Sequence, residues 1–205
     1  MLFVIQLVVG LDASIERAGL VKPLVWQGQI WRLLTCTMLH GNFLHIVMNA
    51  SSSIFLSLLI ERTVHRHLLV PLWLLGALGG SLCSLAFLPT QTSVGASGGL
   101  MALVGFLAVM GWKRTHLLPP RFAANILRSV AFMVFFGLVA WSVIDNAAHA
   151  GGALTGALVG YWTFRDDEAG LPLPDAKWLT VLGWWGVITF WALFAFTAGR
   201  LLMRR

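Results

Sequence analysis

Four polar side chains stand out in an otherwise apolar chain: His45, Asn49, Ser97 and His149. Ser97 lies within Gly95-Ala96-Ser97-Gly98-Gly99. A serine hydroxyl becomes a nucleophile when a neighbouring base takes its proton, and histidine is the usual base. His149 is the candidate for that role. The tetrahedral intermediate of acyl transfer also needs donors aimed at its oxyanion. His45 and Asn49 are spaced i, i+4, so on a helix they share one face and can donate together. Taken singly, each residue has a plain structural reading. A serine bonds the backbone or a neighbouring helix, an asparagine ties helices together, and a histidine near a helix end marks the interface. Their joint placement favours chemistry. Each lies within a turn or two of the start of an apolar segment, and the three segments run in the same direction by parity.

The glycines around Ser97 satisfy G-x-S-x-G, the nucleophile elbow of α/β hydrolases, whose context is a strand before and a helix after. Here the loop Leu88-Pro89-Thr90-Gln91 precedes the motif and no βα alternation exists, which excludes that fold. What survives is physical. Glycines let the backbone approach a substrate closely, and a helix starting at the serine directs free N–H groups and a positive dipole end towards it. Gly152, Gly156 and Gly160 recur every four residues, a spacing that lets helices pack backbone to backbone. His149 precedes Gly152 by three residues and belongs to roughly the same face.

The elements that must position these groups follow from composition. Of 205 residues, 58% are hydrophobic and 11% charged, with a mean hydropathy of +0.82. Eight acidic and 14 basic residues cannot clothe a soluble domain of this size. A soluble enzyme, a disordered tail and a nucleic-acid reader are poor descriptions, and a multi-pass membrane protein in a lipid bilayer is the expectation. Cys36 and Cys83 form neither a disulfide framework nor a metal pattern. A span takes about 20 apolar residues. Windows free of Asp, Glu, Lys and Arg occur at 44–60, 68–88, 93–112, 146–164 and 178–199, and 122–144 holds only Arg128. That predicts six spans. Met1 to Gly10 is apolar but too short to cross, and reads as a clipped first helix.

Counting the stub as span one, the loops after spans two, four and six carry Arg62 and Arg66, then Lys113, Arg114 and Arg121, then Arg165 and Lys177. The positive-inside rule puts these loops in the cytoplasm and the starts of spans two, four and six at the extracytoplasmic face. The tail, with Arg200, Arg204 and Arg205, points the other way, and the three loops outweigh it.

With these residues in place, the sequence resembles the rhomboid intramembrane serine proteases. Gly95-Ala96-Ser97-Gly98 resembles the family's nucleophile motif, and His149-Ala150-Gly151-Gly152 with Gly156 its histidine-bearing sixth helix. His40-Gly41-Asn42-Phe43-Leu44-His45 through Asn49 resembles the start of its second helix, and Trp31-Arg32 the pair in its first loop. The resemblance implies an all-α, polytopic six-helix core over residues 1–164. Residues 165–205 then form a cytoplasmic loop and an extra C-terminal seventh helix. It implies a dyad, with Ser97 as nucleophile and His149 as base, and with His45 and Asn49 stabilising the oxyanion. It implies hydrolysis of peptide bonds in or near transmembrane helices of other membrane proteins, without metal or cofactor. Asp145, four residues before His149, is expected in a solvated turn and not as a third catalytic member.

Two other readings fit the residues less well. A catalytically inactive relative that binds membrane clients would usually lack the serine or the histidine. A transporter would show charge or broken helices near mid-membrane, which these spans lack. No H-E-x-x-H and no paired intramembrane aspartates are present, which leaves the zinc and aspartyl classes without their residues.

Overall fold

In lipid every backbone polar group must find its partner within the protein, so charge-free apolar windows become helices. The computed structural model describes residues 1–139, 144–165, 170–171 and 176–203. Arg204 and Arg205, which figure in the charge reading, lie outside these residues.

Residues 1–41 are built from short pieces. These are α1 (Leu2–Val9), α2 (Leu11–Ala18), α3 (Lys22–Trp26) and α4 (Arg32–Thr35), followed by a 3-10 turn at Cys36–Met38. Six longer helices follow: α5 (Phe43–Thr63), α6 (Leu69–Phe87), α7 (Ser97–Lys113), α8 (Phe122–Val139), α9 (Asn146–Thr163) and α10 (Lys177–Leu202). Each falls on one of the six windows. The stretches Phe43–Thr63, Arg66–Phe87 and Lys177–Leu202 are long and apolar enough to cross a membrane, while Ser97–Lys113 is a shorter apolar helix. The chain is a helical, integral membrane protein, as the sequence predicts.

The core is α7. Every residue from Gly98 to Leu107 is buried, so this helix is apolar all round because it is surrounded all round. It packs chiefly against α9 and α6, and α9 also packs against α6. Small residues carry these contacts. A Cβ added at Gly156 would lie 1.8 Å from the Ala102 carbonyl oxygen, and one at Gly152 2.1 Å from that of Gly98. Without a strong hydrophobic force between helices in lipid, such backbone-to-backbone approach is what dispersion has to work with. Leu56, Ile60, Leu72, Leu103, Phe106 and Phe164 fill the space beyond the glycine seam. The seventh helix, α10, lies on the α6 side, with Trp73 edge-on to Phe190 at 5.8 Å between ring centres.

The long first loop is more ordered than a connecting segment. Arg32 is 2% exposed, and its guanidinium reaches three acceptors: the Gly19 carbonyl at 2.7 Å, the Glu16 carbonyl at 2.8 Å and Gln29 Oε1 at 2.8 Å. Thr35 Oγ1 donates to the Ala18 carbonyl at 2.7 Å. A planar fork suits this task, since one side chain can fix several carbonyls at set angles. The loop so held then pairs its Leu20 backbone with Ser93, N to O at 2.9 and 3.3 Å. The Cys36 carbonyl accepts from Gly95 N–H at 3.0 Å. The segment leading to Ser97 is thus pinned at two points to the first loop.

Candidate active site

Ser97 is the first residue of α7, and His149 lies in the first turn of α9. The α7–α9 glycine seam brings the two starts together, and Ser97 Oγ and His149 Nε2 are 2.8 Å apart. That is hydrogen-bonding distance, and both residues are half-buried. Gly98 lends its carbonyl to the contact at Gly152, so a close backbone approach lies one residue from Ser97 and three from His149. The N–H groups at the start of α7 have no acceptor within the helix and face the same end as the serine hydroxyl.

The α5 pair arrives from the other side. Asn42 caps α5 by accepting from His45 N–H at 2.8 Å, which sets the start of the helix. Gly95 has φ of +128°, a conformation that glycine takes without steric cost. It is also tight for space, because an added Cβ would lie 2.7 Å from His45 Cε1 and Nε2 and 3.9 Å from Asn49 Nδ2. His45 and Asn49 therefore sit beside Gly95, two residues before Ser97. Gly41 N–H faces His45 Nδ1 at 3.4 Å, which leaves the ring proton of the neutral imidazole on Nε2, next to Gly95. Asn49 is buried, with its Nδ2 donating to the His45 carbonyl at 3.1 Å.

The structure brings together Ser97, His149, His45, Asn49 and Gly95, with Gly98, Gly152 and Gly156 as the seam behind them. Trp31 and Arg32 lie away from the pair. Arg32 organises the first loop as described, and Trp31 packs edge-on against Phe196 of α10 at 6.3 Å, with the Arg200 guanidinium 5.3 Å from its ring. The seventh helix thus braces the first loop.

Asp145 departs from the expectation of a solvated turn. Its Oδ1 accepts from Ala148 N–H at 2.8 Å and caps α9. Its Oδ2 accepts from Ser93 Oγ at 2.5 Å and from Ser84 Oγ. Nothing in the sequence singles out Ser84, Ser93 and Lys22 as a group, because they come from three separate segments. Asp145 alone gave a signal, as an aspartate just before a helix. Gln6 is another such case. It exchanges two hydrogen bonds with the His40 backbone, Nε2 to the carbonyl at 3.2 Å and Oε1 from N–H at 3.0 Å.

Known proteins resemble this chain over most of its length. A Rhomboid domain model matches residues 27–166. RHOMBOID-like protein 6, mitochondrial, of Arabidopsis thaliana is 30% identical over 163 residues, which is 78% of this chain and 52% of that protein. RHOMBOID-like protein 4 of the same plant is 33% identical over 141 residues, or 69% of this chain and 36% of that protein. Rhomboid-related protein 2 of Mus musculus is 30% identical over 198 residues, or 90% and 65%. The chain spans only part of the length of these relatives. The domain match covers more than half of its residues, through the starts of α5, α7 and α9, and the chain belongs to the rhomboid family of integral membrane proteins.

Proposed function

We propose that the protein is an intramembrane serine endopeptidase that uses Ser97 and His149 as a dyad. The observation that carries this reading is the 2.8 Å contact between Ser97 Oγ and His149 Nε2 at the start of two packed helices. Ser97 Oγ attacks the scissile carbonyl carbon as its proton passes to Nε2. The carbonyl oxygen becomes an oxyanion, and the free N–H groups at the start of α7, His45 Nε2–H and the Asn49 amide are the donors nearest to it. Collapse breaks the C–N bond, and the imidazolium gives its proton to the departing amine. Water, deprotonated by His149, then releases the acyl group and restores the serine.

The setting selects the substrate class. The dyad lies at one end of a helix bundle immersed in lipid, so a peptide bond in or near a transmembrane helix of another protein is what reaches it. Main-chain carbonyls of an intact helix are hydrogen-bonded, so a substrate segment that unwinds readily is favoured. The basic loops after spans two, four and six support an orientation in which the site opens to the extracytoplasmic side.

The test is labelling of membranes with a fluorophosphonate, together with cleavage of a reporter membrane helix. Wild type labels and cleaves, while Ser97→Ala and His149→Ala do neither and keep their thermal stability. Cleavage by either variant at the wild-type rate would refute the dyad.

A further inference from the structure

We propose that Asp145 is a positioning residue for the Ser97–His149 pair, acting through its cap on α9 and through the hydroxyls of Ser84 and Ser93. The inference rests on the dyad reading above. Ser93 lies four residues before Ser97, and Asp145 four before His149. One carboxylate therefore joins the two segments that deliver the two reacting groups. Its Oδ1 fixes the first turn of α9, where His149 N–H bonds back to the Asp145 carbonyl at 3.1 Å. Its Oδ2 holds Ser93 of the serine-bearing loop and Ser84 of α6, whose hydroxyl oxygens are 3.3 Å apart. The cluster extends to the first loop. Lys22 Nζ donates to Ser93 Oγ at 3.1 Å and to the Gln91 carbonyl. Lys22 is 1% exposed and Ser84 fully buried. Burial lowers the Lys22 pKa from its ordinary value, and the nearby Asp145 carboxylate opposes that change.

A simple helix cap uses one oxygen, and asparagine serves as well as aspartate. The second oxygen, with its two hydroxyl donors from other elements, makes this group a joint between elements. It is not a third member of the catalytic set. Both its oxygens are engaged by Ala148, Ser93 and Ser84. A joint of this kind sets distance and angle, and a misplacement of about 1 Å can cost on the order of 10²-fold in rate.

The experiment compares kcat and KM for a reporter membrane helix, fluorophosphonate labelling and thermal unfolding in the full chain. Asp145→Ala is expected to lower kcat by about 10²-fold with KM little changed. Asp145→Asn is expected to restore most of the rate, since its amide oxygen caps α9 and the serine hydroxyls can turn to accept from its nitrogen. Ser93→Ala is expected to give a smaller loss and to add nothing in the Asp145→Ala background. An unimpaired kcat in Asp145→Ala, or an asparagine variant as slow as the alanine one, would overturn the proposal. Should Asp145→Ala fail to fold, an unchanged kcat in both Ser84→Ala and Ser93→Ala overturns it instead. Full cleavage by Ser97→Ala would bring down the dyad reading and this proposal with it. A dead Ser97→Ala beside an unimpaired Asp145→Ala would bring down this proposal alone.

Discussion

Gly152→Ala measures how closely the dyad depends on the helix seam. An added Cβ at this position stands 2.1 Å from the Gly98 carbonyl oxygen. A relaxed carbon–oxygen contact needs about 3.3 Å, so α7 and α9 must part by roughly 1.2 Å at this point. The contact lies beside both reacting residues. A parting of that size stretches the 2.8 Å Ser97–His149 bond to about 4 Å, beyond hydrogen-bonding reach. The expected loss is about 10²-fold in kcat/KM. Overpacking costs about 1–3 kcal/mol, offset by about 1 kcal/mol from the better helix propensity of alanine. The variant should therefore stay folded while losing activity. Gly199→Ala in α10 is the matched control, because no atom lies within 4 Å of its added methyl. It should keep full activity and equal or slightly higher stability. The assay is reporter cleavage and fluorophosphonate labelling beside thermal unfolding. Wild-type cleavage by a folded Gly152→Ala would refute the claim that the seam sets the dyad distance.

Other substitutions probe the surrounding parts. His45→Ala and Asn49→Ala should each lower kcat by about 10²–10³-fold, the usual cost of one oxyanion donor. An unchanged rate in either would remove that residue from the site. Arg32→Ala should cost about 3 kcal/mol or more, because three charge-assisted bonds disappear and the buried Gly19 carbonyl loses this donor. Arg32→Lys should recover little of it, since an ammonium cannot span three acceptors, and a wild-type melting temperature in either variant would contradict this. His40, in the first loop, is held down at about 4 from an ordinary 6.5 by burial, with His45 adding to the effect. Its neutral form favours the fold, so that contribution is complete above pH 6.5 and is lost as pH falls towards 4. About 3 kcal/mol should disappear over that window, and His40→Asn should flatten this part of the stability curve. An identical pH dependence in wild type and variant would exclude His40 as the source.

The fold and much of the candidate site were legible in the residues for one reason. Lipid makes polar groups costly, so a membrane chain spends few of them. Five charge-free windows and one holding only Arg128 marked six helices, and His45, Asn49, Ser97 and His149 stood out because few polar groups lie inside them. Parity of the spans was enough to put those starts at one level, and the four-residue glycine repeat was enough to predict a close seam.

Distances and cross-chain partners were not legible. Periodicity says that Gly152 faces a neighbour, but only packing shows the neighbour to be the Gly98 carbonyl and the Ser97–His149 gap to be 2.8 Å. The first loop has no helical periodicity long enough to read. Its form depends on Arg32 finding carbonyls 13 and 16 residues away. Asp145 shows the limit best. Its own neighbours in sequence predict a solvated turn, and it becomes a joint because Ser84, Ser93 and Lys22 arrive from up to 123 residues away. Sequence alone determined which residues lipid would tolerate and on which helix faces they lie. Tertiary structure decided which of them touch, because hydrogen bonds and backbone contacts act over a few ångströms and local pattern carries no record of distant partners.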